Sequence, residues 1–181
     1  DRGRSALDGV EAMNDMVNMM REHVTQESRI HYVITRGGEA PNVVPAFAEV
    51  YYYALHPSRA VVKDMWERLT RAAQGAALGT DTKVEWEITG GVYDLLPNEA
   101  LARVVDANLR AVGGYTYREG EKDFATKIQK TFTTETPNLT TTNTIGEFKV
   151  SPSGVGFGST DVGDVSWVVP TAGLSTATWV P

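Results

Sequence analysis

Not one of the 181 residues is cysteine, which excludes disulfide frameworks, thiolate zinc sites and cysteine nucleophiles together. Histidine is nearly as scarce: His23, His31 and His56 are the three copies. Nothing in their spacing makes them converge on a metal, and each reads as structural or solvated. Basic residues are outnumbered, with 17 Lys and Arg against 23 Asp and Glu for a formal net charge of -6. No concentrated basic patch is visible, so neither nucleic acid nor an anionic membrane is an expected partner. No stretch approaches the roughly 20 apolar residues needed to span a bilayer, and Asp1-Arg2-Gly3-Arg4 lacks the apolar segment of a signal peptide. A soluble, cytoplasmic protein is expected. The opening also lacks methionine and meets a helix signal at once, which suggests a fragment.

Common catalytic templates are missing as well. There is no His-Glu-x-x-His, no Gly-x-Ser-x-Gly and no Gly-Lys-Ser/Thr phosphate loop.

What is present is an ordinary globular composition, 41% hydrophobic and 22% charged. A chain of this length buries roughly 70% of its unfolded surface without staples. Ser5-Ala6-Leu7-Asp8 reads as a helix start, a hydroxyl cap with a carboxylate three residues on. Leu7, Val10, Met13, Val17, Met20 and Val24 then form one apolar stripe, so the methionines are core residues. Residues 29–36 alternate as a strand, and residues 46–55, with Val50-Tyr51-Tyr52-Tyr53, read as a second. Ser58 is expected to cap a second amphipathic helix carrying Val61, Val62, Met65, Leu69, Ala72, Ala73 and Ala76 and ending near Gly79. Val84, Trp86 and Ile88 alternate with charged neighbours as a third strand.

Helix, strand, strand, helix, strand is the split βαβ order of a ferredoxin-like sandwich without its leading strand. After Pro97 the character changes. Helices are expected over 98–112 and 119–129, followed by a Thr-rich stretch that reads as an exposed loop. Residues 154–181 suggest packed loops and short strands of another core. The fold class is therefore α+β, with one domain over 1–95 and another over 96–181.

Three local signals bear on chemistry. Gly154-Val155-Gly156-Phe157-Gly158 superficially resembles a phosphate cradle, but no clear helix follows to aim its N-terminus at an anion. Asp161 and Asp164 form the best carboxylate pair on the chain, although tight Gly/Ser/Asp turns also occur without chemistry. Asn138-Leu139-Thr140 has the form of a glycosylation acceptor, which matters only in a secretory compartment.

Several segments together carry a resemblance. Gly3-Arg4-Ser5-Ala6-Leu7-Asp8, the run from Gly37-Gly38 through Asn42 to Pro45, Glu49-Val50-Tyr51-Tyr52-Tyr53, and Gly158-Ser159-Thr160-Asp161-Val162-Gly163-Asp164-Val165-Ser166-Trp167 resemble the dinuclear-zinc aminoacylase and carboxypeptidase family. The Gly-Gly-x-x-x-Asn-x-x-Pro element and the closing Asp-Val-Gly-Asp-Val-Ser-Trp run are the specific parts.

The resemblance implies a two-domain amidohydrolase. An α/β zinc-peptidase-like catalytic domain holds two divalent metal ions, zinc with manganese as the alternative, and is interrupted by a ferredoxin-like lid that also makes a homodimer. Residues 1–95 would be the lid and 96–181 part of the catalytic domain. The metal ligands and the general-base glutamate lie before the lid in the family, and a last histidine near its C-terminus, so this sequence contains none of them and the chain alone is expected to be inactive and metal-free. Asn42 matches the lid asparagine that faces the substrate's carbonyl or carboxylate, Gly37 and Gly38 match the turn placing it, and Asp161 matches an acidic residue lining the cleft. Where relatives carry an arginine at the end of the tyrosine-rich strand, this chain has Ala54-Leu55, so no salt bridge to substrate is implied there.

The implied reaction is metal-assisted hydrolysis of acyl-amino acids such as p-aminobenzoyl-glutamate, with a lid that excludes water. Two other readings stand beside it: a non-enzymatic α+β interaction module, and a nucleotide binder through Gly154 to Gly158.

Overall fold

A computed structural model describes residues 3–150 and 158–181. They fall into two compact units, one running to Asp94 and one starting at Leu95. Helices and a small antiparallel sheet make the fold α+β. No helix among the described residues is long and apolar enough to cross a membrane.

In the first unit, α1 (Ala6–Arg21) starts where the Ser5 hydroxyl accepts the Asp8 N–H at 3.2 Å, satisfying one of the free donors of the first turn. β1 (Arg29–Arg36) and β2 (Glu49–Leu55) pair antiparallel, Ile30 opposite Ala54 and Tyr32 opposite Tyr52. Side chains alternate across a strand, so these four share one face. There α1 and α2 (Arg59–Gly79) complete the core: Val17, Met20, Ile30, Met65 and Leu69 are buried together, with Met13, Val24, Tyr52, Ala54, Val61, Val62 and Ala72 packed around them. The opposite face carries His31, Val33, Tyr51 and Tyr53, all exposed.

Helix α2 departs from expectation at both ends. Ser58 precedes it without a capping hydrogen bond from its side chain; its own N–H donates instead to His56 Nδ1 at 2.8 Å. The helix runs past Gly79 to a Schellman-type close in which Asp81 takes the left-handed conformation (φ 55°) and the Thr82 N–H reaches the Ala77 carbonyl at 2.9 Å. Asp81 then receives Arg4 at 2.9 Å, tying the end of α2 to the start of α1.

One polar pair lies against the core. Asn14 is 5% exposed, and its side-chain oxygen accepts the hydroxyl of the half-buried Tyr52. Burial pushes the Tyr52 phenol well above its ordinary value; the neighbouring Tyr32 adds to this and Arg21 opposes it. Tyr52→Phe strips a buried oxygen of its donor and is expected to cost about 1–3 kcal/mol at pH 7, read from the urea midpoint. Because the folded pKa is raised, the unfolded chain gives up this proton first. The contribution is complete below about pH 10, the ordinary tyrosine value, and declines above it. The stability gap between wild type and variant should therefore narrow between about pH 10 and 12, and a constant gap would contradict the assignment.

The expected third strand is not formed. Among the described residues the sheet has two strands, and residues 82–98 adopt neither helix nor strand. Trp86 and Ile88 are 49% and 66% exposed. Alternation makes a segment compatible with a sheet, but a strand exists only through hydrogen bonds to a neighbour, and this segment pairs with neither β1 nor β2.

The second unit contains α3 (Glu99–Val112) and α4 (Glu119–Gln129). Asn98 caps α3 by accepting the Leu101 N–H at 2.9 Å, and Glu99–Arg103 and Asp106–Arg110 pair one turn apart along it. The Thr-rich stretch holds one short 3-10 turn, Leu139–Thr142, with the Asn138 side chain accepting the Thr140 N–H at 3.0 Å. In place of the expected short strands, α5 (Val162–Ser166) forms, and no strand lies among residues 158–181. The glycine-rich segment read as a possible phosphate cradle lies outside the described residues except for Gly158.

Candidate functional site

The connection between β1 and β2 carries three of the four residues singled out for substrate. Gly37 follows the last residue of β1, and Gly38 has φ 116°, a conformation that L side chains rarely adopt. A Cβ there would also stand 3.3 Å from the Pro45 Cβ. Glycine thus lets the chain turn back tightly over Pro45, whose carbonyl accepts the Ala6 N–H at 2.9 Å. That bond fastens the loop to the first turn of α1.

Between these anchors a second turn closes where Val43 N–H donates to the Ala40 carbonyl at 3.1 Å. Asn42 sits inside it, exposed, and its side-chain amide has no hydrogen-bond partner among the described residues. Val43, Val44 and Phe47 around it are 55%, 59% and 56% exposed, and the Arg36 guanidinium lies 5.1 Å from the Phe47 ring centroid. A fixed backbone therefore presents one uncommitted amide, able to donate or accept, on an apolar rim.

Asp161 belongs to the other unit. It stands exposed at the N-cap of α5 without a capping bond from its side chain. The helix is anchored below it by Ser166, 5% exposed, whose hydroxyl donates to the Gly163 carbonyl at 2.5 Å and accepts the Leu96 N–H at 2.8 Å. Asp164 is half-buried. The run from Asp161 to Trp167 is thus a rigid helical turn carrying a carboxylate, not an irregular loop.

No metal centre emerges. Among the described residues no group of three or more His, Asp or Glu could hold an ion. His56 Nδ1 is occupied by the Ser58 N–H, and His31 stands across from Tyr53 on the exposed face of the sheet. The residues present do not fit the paired metals that the resemblance implies, and no chemical step is assigned to a metal here.

A group unnoticed in the sequence lies in the second unit. Tyr115 donates to Tyr117 at 3.0 Å, and both hydroxyls bond the Thr142 hydroxyl, at 2.8 and 3.0 Å. The Thr142 bond, followed by that from Tyr115, lowers the Tyr117 phenol below its ordinary value. Gly114 lies so close to the Asn143 carbonyl that any Cβ would overlap it, which is what lets the two segments meet. Tyr-x-Tyr alone was the only sequence hint.

The chain is 35% identical over 193 aligned residues to a p-aminobenzoyl-glutamate hydrolase of Escherichia coli (strain K12), a match covering 94% of this chain and 40% of that protein. It is 30% identical over 114 residues to the Xaa-Arg dipeptidase of Homo sapiens, covering 61% of this chain and 26% of the relative. To the Xaa-Arg dipeptidase of Mus musculus it is 28% identical over 169 residues, covering 93% and 32%. The chain spans at most 40% of the length of these curated relatives. No protein-family model matches it. With these relatives aligned along nearly its whole length, the chain belongs to the aminoacylase and peptidase-like family of amidohydrolases.

Proposed function

We propose that this chain is part of a metal-dependent amidohydrolase that cleaves the amide bond of acyl-amino acids such as p-aminobenzoyl-glutamate. The observation that carries this is the 35% identity to the Escherichia coli p-aminobenzoyl-glutamate hydrolase across 94% of the chain. In this reading the unit running to Asp94 is the lid. Its helix-strand-strand-helix order, with both helices on one face, is that of a ferredoxin-like sandwich lacking its leading strand, and residues 82–89 are the strand that would pair with that leading strand. The unit from Leu95 is part of the catalytic domain.

The division of labour follows from local chemistry. Asn42, on a loop held by Gly38 and Pro45, donates a hydrogen bond to the substrate's carbonyl or carboxylate as the lid closes. The Asp161 carboxylate lines the cleft and orients polar groups there. Residues outside this chain hold the metals and move the proton. Self-assembly is part of the proposal: a homodimer forms through the lid, where the strands of a two-stranded sheet offer free backbone groups and Tyr51 and Tyr53 are 40% and 57% exposed.

The test is the full-length protein with p-aminobenzoyl-glutamate, following release of the aromatic amine. Hydrolysis should disappear with a chelator, return with zinc or manganese, and reside in a species of dimer mass by light scattering. A metal-loaded protein that hydrolyses no acyl-amino acid, or one indifferent to chelator, would favour a non-enzymatic interaction module.

A further inference from the structure

The second unit contains a cavity of about 490 Å3, lined among others by Tyr115, Tyr117, Glu121, Phe124 and Val180. This lies within the roughly 300–1,000 Å3 of small-ligand sites. Two walls form a corner: the Tyr115 and Tyr117 rings are 5.0 Å apart at 84°. Phe124, 64% exposed, adds a third aromatic surface.

The polar groups narrow the choice of ligand. The two phenol hydroxyls are engaged with each other and with Thr142, which leaves the π-surfaces as what these rings offer. The charged group in the lining is Glu121. One of its carboxylate oxygens accepts the Arg118 N–H at 2.8 Å, which fixes the side chain at the start of α4. No lysine or arginine lines the cavity to neutralise it. An anion would meet the carboxylate and the negative faces of the rings, and a neutral apolar ligand would strip water from Glu121 without return. A cation with apolar substituents satisfies both wall types, because ring quadrupoles and a carboxylate attract positive charge together.

We infer that the cavity walled by Tyr115, Tyr117 and Phe124 and closed by Glu121 binds an organic monocation with an alkylammonium or guanidinium head. Its walls are held in place before the ligand arrives. The Gly114–Asn143 approach and the three-hydroxyl cluster brace the tyrosines, and the cap bond braces Glu121.

The test is a titration of the 181-residue chain, following ring-proton shifts of Tyr115, Tyr117 and Phe124 by NMR. Ethylguanidinium and tetramethylammonium should give saturable shifts, and ethylurea, the neutral isostere of the first, should give none at about tenfold higher concentration. Glu121→Gln keeps an oxygen able to cap α4 but removes the charge, and Phe124→Leu keeps apolar bulk but removes the π-face. Each should weaken ethylguanidinium binding by about tenfold, with helix content unchanged by circular dichroism. Equal binding of ethylurea and ethylguanidinium, or no saturation up to about 100 mM of either cation, would overturn the assignment without recourse to any variant. So would wild-type affinity in both substituted proteins.

Discussion

Asn42→Ala in the full-length enzyme proposed above is expected to lower kcat/KM for acyl-amino acid hydrolysis by about 10²–10³, the usual loss when one positioned donor to a reacting carbonyl is removed. The expectation rests on placement. Asn42 is exposed at the tip of a loop anchored at Gly38 and Pro45, and its amide has no bond within the described chain to lose. Removing it should leave folding and metal content as they were, so a loss of rate cannot be traced to either. If Asn42 holds the substrate carboxylate equally in ground and transition states, the loss appears in KM. If it meets the carbonyl as charge develops, the loss appears in kcat. An unchanged kcat/KM would make Asn42 a turn former and nothing more.

Leu69→Ala is expected to destabilise the first unit by about 2–5 kcal/mol, the range for a leucine truncated inside a packed core. Leu69 is 2% exposed and packs with Val17, Met20, Ile30 and Met65. That cluster joins α1, α2 and the inner face of the sheet, so a cavity there loosens three elements at once. The same helix supplies the control. Leu78 is 86% exposed, and Leu78→Ala should fall within about 0.5 kcal/mol of wild type. Urea melts of both variants decide the matter, and a Leu69→Ala loss below about 0.5 kcal/mol would mean the core does not lie where these helices meet.

The elements that could be read directly were those with local causes. The stripe from Leu7 to Val24 and the cap at Ser5 specify α1 through side-chain spacing and one hydrogen bond within the first turn, and both formed. Arg29–Arg36 was legible for the same reason, and so were α3 and α4, whose apolar periodicity requires no knowledge of a partner. Gly37-Gly38 announced a tight return, because only glycine tolerates the backbone that Gly38 adopts. The catalytic roles suggested for Asn42 and Asp161 came from resemblance, and no local rule would have supplied them.

What stayed hidden depended on groups distant in the chain. Residues 82–89 alternate as a strand should, yet hydrogen-bonded pairing is decided by whichever backbone lies alongside, and neither β1 nor β2 does. Helix α2 ran past Gly79, since the left-handed close could be taken by Asp81 once Arg4 was there to meet its carboxylate. The Asn14–Tyr52 pair joins residues 38 positions apart, and the Tyr115–Tyr117–Thr142 cluster spans 27. Local spacing determined which segments of this chain became helices and where its loops turn tightly. Tertiary structure decided which strands pair and which polar groups meet, because a hydrogen bond takes its energy from the partner that folding brings to it, and that partner is written elsewhere in the sequence.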